Sequence, residues 1–147
     1  MKITSLAFEH NSKIPSIYTC DGKNVNPPLS ITDVSGNAES LVLIMDDPDA
    51  PGGTWDHWIV WNMPVSTTKI EENSVPKGSS QALNSWGNRA YGGPCPPSGT
   101  HHYHFKLYAL KKRLLLDANA TKEDVERAMT GYIVGEAVLV GLYRSGH

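Results

Sequence analysis

Two short stretches hold most of the side chains able to do chemistry. Residues 46–64 open with Asp46-Asp47-Pro48-Asp49-Ala50-Pro51, three carboxylates within four positions, and run on through Trp55-Asp56-His57-Trp58. Residues 92–110 carry Gly92-Gly93-Pro94-Cys95-Pro96-Pro97-Ser98-Gly99-Thr100 and then His101-His102-Tyr103-His104-Phe105. Proline fixes φ and removes a donor, so Pro48 and Pro51 stiffen the acidic segment and can aim one carboxylate inward. The plainer reading of that segment is a solvated turn, since the same residue types dominate turns. Asp47 and His57 flank one short connection and can meet across it. A carboxylate there would favour the cationic form of His57 or His101. The glycine- and proline-rich loop offers backbone N–H groups where it curls, and such groups bind anions well. Strand alternation puts His101, Tyr103 and Phe105 on one face and His102 and His104 on the other, and it groups His57 with Ile59, Trp61 and Met63. These residues predict a small pocket for an anionic group such as phosphate, held by charge-assisted bonds from imidazoles, the Tyr103 hydroxyl and loop N–H groups. Binding is expected to tighten as pH falls from about 7.5 toward 6, through histidine protonation.

Two other chemistries compete for the same residues. Cys95 beside His57 or His101 would make a nucleophile–base pair. Its flanking prolines supply no oxyanion donors, there is no nucleophile elbow, and a structural cysteine is the plainer assignment. His102 and His104 form an H-x-H pair, a spacing zinc sites use, but the sequence identifies no third ligand. A metal- or cysteine-dependent hydrolase is therefore the alternative to a binding protein, and the reading calls for no catalyst, metal or cofactor.

The elements that must position these groups are mostly strands. Apolar and β-branched runs predict strands over residues 3–8, 29–31, 41–45, 57–63, 101–110 and 133–143, with residues 114–117 a short strand or turn. The run 41–45 is continuously apolar, as expected of a strand buried on both faces. Asp46 and the prolines after it are expected to stop that strand. Residues 66–91 show little periodicity and read as a long excursion. Residues 121–129 form the one convincing helix, with Thr121 as N-cap, Glu123 and Asp124 at the positive end of the dipole and Gly131 as the stop. Seven or so strands and one late helix predict a mainly β fold, an antiparallel sandwich or Greek key.

The chain has 147 residues, a length that fits a single domain over residues 1–147. A net charge of −2, with Lys111-Lys112-Arg113 the only basic run, excludes a general nucleic-acid binder. No apolar stretch is long enough to span a bilayer as a helix. The first ten residues alternate apolar and polar side chains, unlike a secretory leader, so a cytoplasmic protein is expected. Cys20 and Cys95 are then expected to be thiols. A bond between them would close a long loop, worth roughly 4–5 kcal/mol in the chain-entropy model, but nothing in the sequence demands it. Trp55, Trp58, Trp61 and Trp86 could serve a homodimer contact, although burial in the core is the default for most of them.

Taken together, Asp47-Pro48-Asp49-Ala50-Pro51, His57-Trp58 leading to Asn62-Met63-Pro64, the run from Gly93 through Tyr103, and Leu107-Tyr108-Ala109-Leu110 resemble the phosphatidylethanolamine-binding protein family. Tyr18-Thr19-Cys20-Asp21-Gly22 and Asn26-Pro27-Pro28-Leu29-Ser30 resemble the opening of its bacterial and archaeal branch. The resemblance implies a large antiparallel sheet packed with a smaller one, and a pocket that in relatives receives phosphate, phosphoryl-ethanolamine or similar groups. Carried over, the pocket residues would be Asp47, His57, His101 and Tyr103, with Ala50, Pro51, Trp55, Pro94 and Cys95 as walls. Many relatives have arginine where this chain has His102, on the face predicted to point away. The tail after Tyr143 leaves no room for the C-terminal helix that covers the pocket in animal relatives, so their kinase-inhibiting role transfers poorly. An inhibitor-like interaction role with an unnamed protein partner stays open by analogy alone.

Overall fold

The structure is a computed structural model that describes residues 1–145; Gly146 and His147, the end of the tail read above, lie outside the described residues. Nine strands, β1 (Lys2–Thr4), β2 (Ser12–Lys13), β3 (Leu29–Thr32), β4 (Ser40–Asp47), β5 (Trp55–Met63), β6 (Lys69–Ile70), β7 (Ser80–Gln81), β8 (Thr100–Leu110) and β9 (Ile133–Arg144), are described, with one α-helix, α1 (Lys122–Met129). A six-stranded sheet has the order β2-β9-β8-β4-β5-β7, and a three-stranded sheet has the order β1-β3-β6. All pairings are antiparallel except the two-residue β2–β9 pair, which is parallel. The mainly β expectation holds. The first strand is shorter than the run 3–8, and residues 114–117 form no strand.

The two sheets enclose the main core. Ile3, Leu29, Ile31 and Ile70 of the small sheet meet Leu41, Leu43, Met45, Trp58, Val60, Phe105 and Leu107 of the large one. The outer face of the large sheet is covered by α1, whose Val125 and Met129 pack with Val42, Ile44, Ile59 and Trp61. All eight residues of β4 are buried, as a strand covered on both faces must be. Thr121 caps α1 through a reciprocal box with Asp124, each side chain bonding the other's backbone N–H. The segment after β8 is held by a side chain. Asn62, in the left-handed region with φ 55°, donates to the Leu114 carbonyl and accepts from its N–H, both at 2.8 Å. An amide side chain thus takes the place of a strand neighbour there, which is why an apolar run makes no sheet.

Two features of the sheet position the polar residues. β4 runs through Asp46 and Asp47 instead of stopping before them, so alternation sends the two carboxylates to opposite faces. Asp46 turns outward and pairs with Lys106 at 2.6 Å. β5 is irregular opposite them: Met45 faces Trp58, but Asp46 faces Asp56, leaving His57 as an extra residue. That bulge corrects the face expected for His57. Trp58 and Val60 join the core between the sheets, while Ile59 and Trp61 face the helix. His57 is therefore aimed by the bulge rather than by the alternation of the strand.

Candidate functional site

Asp47, the last residue of β4, is 3% exposed. One carboxylate oxygen accepts from Nδ1 of His101 at 2.7 Å, and the other accepts from the Asp49 N–H at 2.9 Å. The partner of Asp47 is thus His101 and not His57, across 54 residues of chain. His57 is instead clasped by Gly92: its Nδ1 lies 2.7 Å from the Gly92 carbonyl, and the Gly92 N–H donates to the His57 carbonyl at 3.0 Å. A carbonyl only accepts, so Nδ1 of His57 carries the proton and Nε2 is the nitrogen left for another partner. Tyr103 lies between the two imidazoles, edge-on to His57 with ring centroids 5.2 Å apart and nearly parallel to His101 at 6.4 Å.

Burial sets the electrostatics. It pushes the His57 imidazolium below its ordinary acidity range, outweighing the Gly92 carbonyl and the Asp47, Asp46 and Asp56 charges that pull the other way. The Asp47 charge thus acts on His57 in the expected direction, but burial outweighs it and favours the uncharged ring at neutral pH. Burial, followed by the charges of Asp47 and Asp49, raises the Tyr103 phenol, so it stays a donor. Its hydroxyl is buried without a hydrogen bond of standard geometry. The Asp47 carboxylate and the Cys95 N–H nevertheless lie near enough to act on its acidity as hydrogen-bonding neighbours.

These groups line a cavity of about 330 Å³ together with Ala50, Pro51, Trp55, Trp86, Cys95, Pro96 and Pro97. Neither lysine nor arginine is among its lining residues. Of the nine positions expected at the site, the structure brings eight to one cavity. Pro94 is the exception: it is buried behind the wall and its carbonyl accepts from the Cys20 N–H at 3.1 Å. Trp86, Pro96 and Pro97 were missed. Trp86 stands edge-on to both His57 and Trp55, with centroids 5.0 and 5.5 Å away, and its ring lies over Gly92 where a Cβ would sit 2.4 Å from it. The segment holding Trp86 has no periodicity, so its sequence could not place that ring. Trp58 and Trp61 are core residues, leaving Trp55 and Trp86 as the exposed tryptophans.

The remaining candidates fall elsewhere. His102 is exposed at the rim, where its ring and N–H both contact Asp49 at 2.7 and 2.8 Å. Those bonds hold the Asp49 carboxyl below its usual range. His104 is half-buried on the outer face. Among the described residues no three histidine, cysteine or acidic side chains are grouped to hold a metal. The cysteines are not thiols: Cys20 and Cys95 form a disulfide, with Cα atoms 5.4 Å apart. The expectation of thiols rests on compartment, which carries no information about which residues the fold brings together. In this state Cys95 has no thiol to act as a nucleophile.

Comparison with known proteins agrees with this fold. Residues 4–144 match the family described as "Phosphatidylethanolamine-binding protein". A UPF0098 protein of Methanothermobacter thermautotrophicus is 52% identical, covering 99% of this chain and 100% of the relative. The crystal structure of CT736 from Chlamydia trachomatis, described as a putative homolog of that family, superposes with a TM-score of 0.94 at 40% identity, covering 98% of this chain and 97% of that one. E. coli YbcL, described as a new member of the mammalian family, superposes with a TM-score of 0.90 at 29% identity and 98% coverage of both chains.

Proposed function

The chain belongs to the phosphatidylethanolamine-binding protein family, and from that premise and the geometry of its cavity we propose that it binds a small phosphoryl group in the protonated, monoanionic form. The observation that carries this reading is the buried Tyr103 hydroxyl, which makes no hydrogen bond of standard geometry, beside the Asp47–His101 pair. A poorly met buried donor costs up to about 1–3 kcal/mol, and an acceptor oxygen placed in the cavity would recover part of it. The protonation state follows from charge. The lining holds one carboxylate and two imidazoles, and His57 is uncharged near neutral pH. A dianion would meet Asp47 with little to offset it. A P–OH group, by contrast, donates to Nε2 of His57 or to the carboxylate, while Tyr103 donates to another oxygen. Free phosphate and a phosphorylated head group share this chemistry.

Titration calorimetry with inorganic phosphate and with O-phosphorylethanolamine tests the reading. The second ionisation of a phosphomonoester lies near pH 6, so affinity is expected to rise as pH falls from 7.5 to 6, with the ligand's own proton supplying much of the effect. Tyr103→Phe is expected to weaken binding about tenfold, the worth of one such hydrogen bond. Affinity that is unchanged in that variant, or that rises with pH, sinks the proposal.

A further inference from the structure

The Cys20–Cys95 disulfide lies at the cavity it helps to wall. Cys95 lines the cavity, and both half-cystines are solvent-exposed. The loop before Cys95 is fastened to the 3-10 turn Ser16–Tyr18 and the bend after it by several bonds. Tyr91 donates to the Tyr18 carbonyl at 2.7 Å, the Gly93 N–H donates to Asn24 at 2.8 Å, and the Cys20 N–H donates to Pro94. Gly93 fits so closely that a Cβ would lie 2.2 Å from the Tyr18 carbonyl oxygen. Beyond Pro94 the backbone fastening ends: among the described residues, 95–99 make no backbone–backbone hydrogen bond. Pro96 is buried and the Cys95 N–H acts on Tyr103, so the wall of Cys95, Pro96 and Pro97 is held by packing, by that contact and by the disulfide as its covalent tether.

We propose that this disulfide is a reversible redox tether, and that a dithiol, small or protein-borne, opens the cavity wall by reducing it. The balance is that of thiol–disulfide exchange. A thiolate of the dithiol attacks one Sγ, forming a mixed disulfide and expelling the other cysteine as thiolate. The second thiolate of the reductant then attacks the mixed disulfide and closes its own ring. Two electrons pass to the cysteine sulfurs, which take up two protons, and the dithiol leaves as a disulfide. Exposed disulfides are the more readily reduced, labile or regulatory ones, and disulfides in a mesophile cytosol are usually transient. Reduction leaves the bonds of residues 91–94 and the clasp between Gly92 and His57 in place, so it frees the wall without dismantling the floor. For ligand affinity the inference rests on the phosphoryl-binding reading; for wall mobility it does not.

The test is 15N relaxation of the backbone amides on the full chain, oxidised and after dithiothreitol, with Cys20→Ser/Cys95→Ser as a permanently open variant, alongside calorimetry with O-phosphorylethanolamine. Order parameters at Cys95, Ser98 and Gly99 are expected to fall from about 0.85, the rigid value, to below about 0.6 on reduction and in the double variant, while β4, β5 and β8 stay rigid. Affinity is expected to fall at least tenfold, and reoxidation is expected to restore both properties in the parent alone. A looser wall in a protein that binds no probe in either state would remove the phosphoryl reading and leave the tether standing. The tether is overturned by unchanged order parameters at 95–99, by a bond that resists dithiothreitol in the folded protein, by unchanged affinity in a protein that binds the probe, or by loss of order throughout the large sheet, which would make the bond a staple of the whole fold.

Discussion

At the scale of single residues, the site depends on a histidine kept neutral. His57 is 2% exposed, and its proton affinity is depressed by that burial. In the unfolded chain the same imidazole titrates near 6.5. As pH falls through that value the unfolded state takes up a proton that the folded state refuses, so this contribution to stability is complete above about pH 6.5 and is lost below it. The slope from one such group reaches at most about 1.4 kcal/mol per pH unit. His57→Gln removes the titration, and its amide retains a donor for the Gly92 carbonyl. Urea unfolding between pH 5 and 7 is expected to show a shallower decline for this variant than for the parent; parallel declines would show that burial does not set the His57 charge. Tyr103 is the complement of His57. One supplies a donor held protonated, the other an acceptor held unprotonated, and a ligand bearing both an anionic oxygen and an acidic proton satisfies both.

At the scale of elements, strand β5 shows how much a single extra residue decides. Its bulge places His57 at the cavity while Trp58 stays in the core and Asp56 turns outward, where it lies 2.9 Å from Lys122 of α1. The two faces of the sheet are thereby separated, and substitutions on them should separate too. Thr121→Ala removes the capping box on the helical face and is expected to cost about 1 kcal/mol, with phosphoryl binding unchanged. Gly93→Ala thrusts a Cβ against the Tyr18 carbonyl and Thr19 backbone. It is expected to cost about 1–3 kcal/mol, as overpacking does, and also to weaken binding by shifting the Gly92 clasp on His57. Chemical denaturation paired with calorimetry distinguishes the two outcomes; loss of binding in Thr121→Ala would show that the faces are coupled.

At the scale of the molecule, the disulfide joins residues 75 apart in sequence. In the chain-entropy model such a closure is worth roughly 4–5 kcal/mol, so Cys20→Ser/Cys95→Ser is expected to lower unfolding free energy by about that amount while the chain remains folded. A midpoint unchanged from that of the oxidised parent would show that the bond constrains no more than the wall. Much of the architecture could be read directly from residue patterns. The continuous apolar run of β4, the long alternating β8 and the capped helix each carry a local signal, because strand and helix periodicities and caps are short-range properties. The grouping of Asp47, His57, His101 and Tyr103 was legible through motif resemblance and through the alternation of β8, which separates His101 and Tyr103 from His102 and His104. Local residue patterns thus specify the set of strands, the helix and the residue types of the pocket. Tertiary structure alone decided that Asp47 pairs with His101, that a bulge turns His57, that Trp86 closes the wall over Gly92 and that Cys20 meets Cys95. The physical reason is range: each of these depends on contacts between segments distant in the chain, and burial, which reverses the expected charge of His57, exists only once those segments have packed.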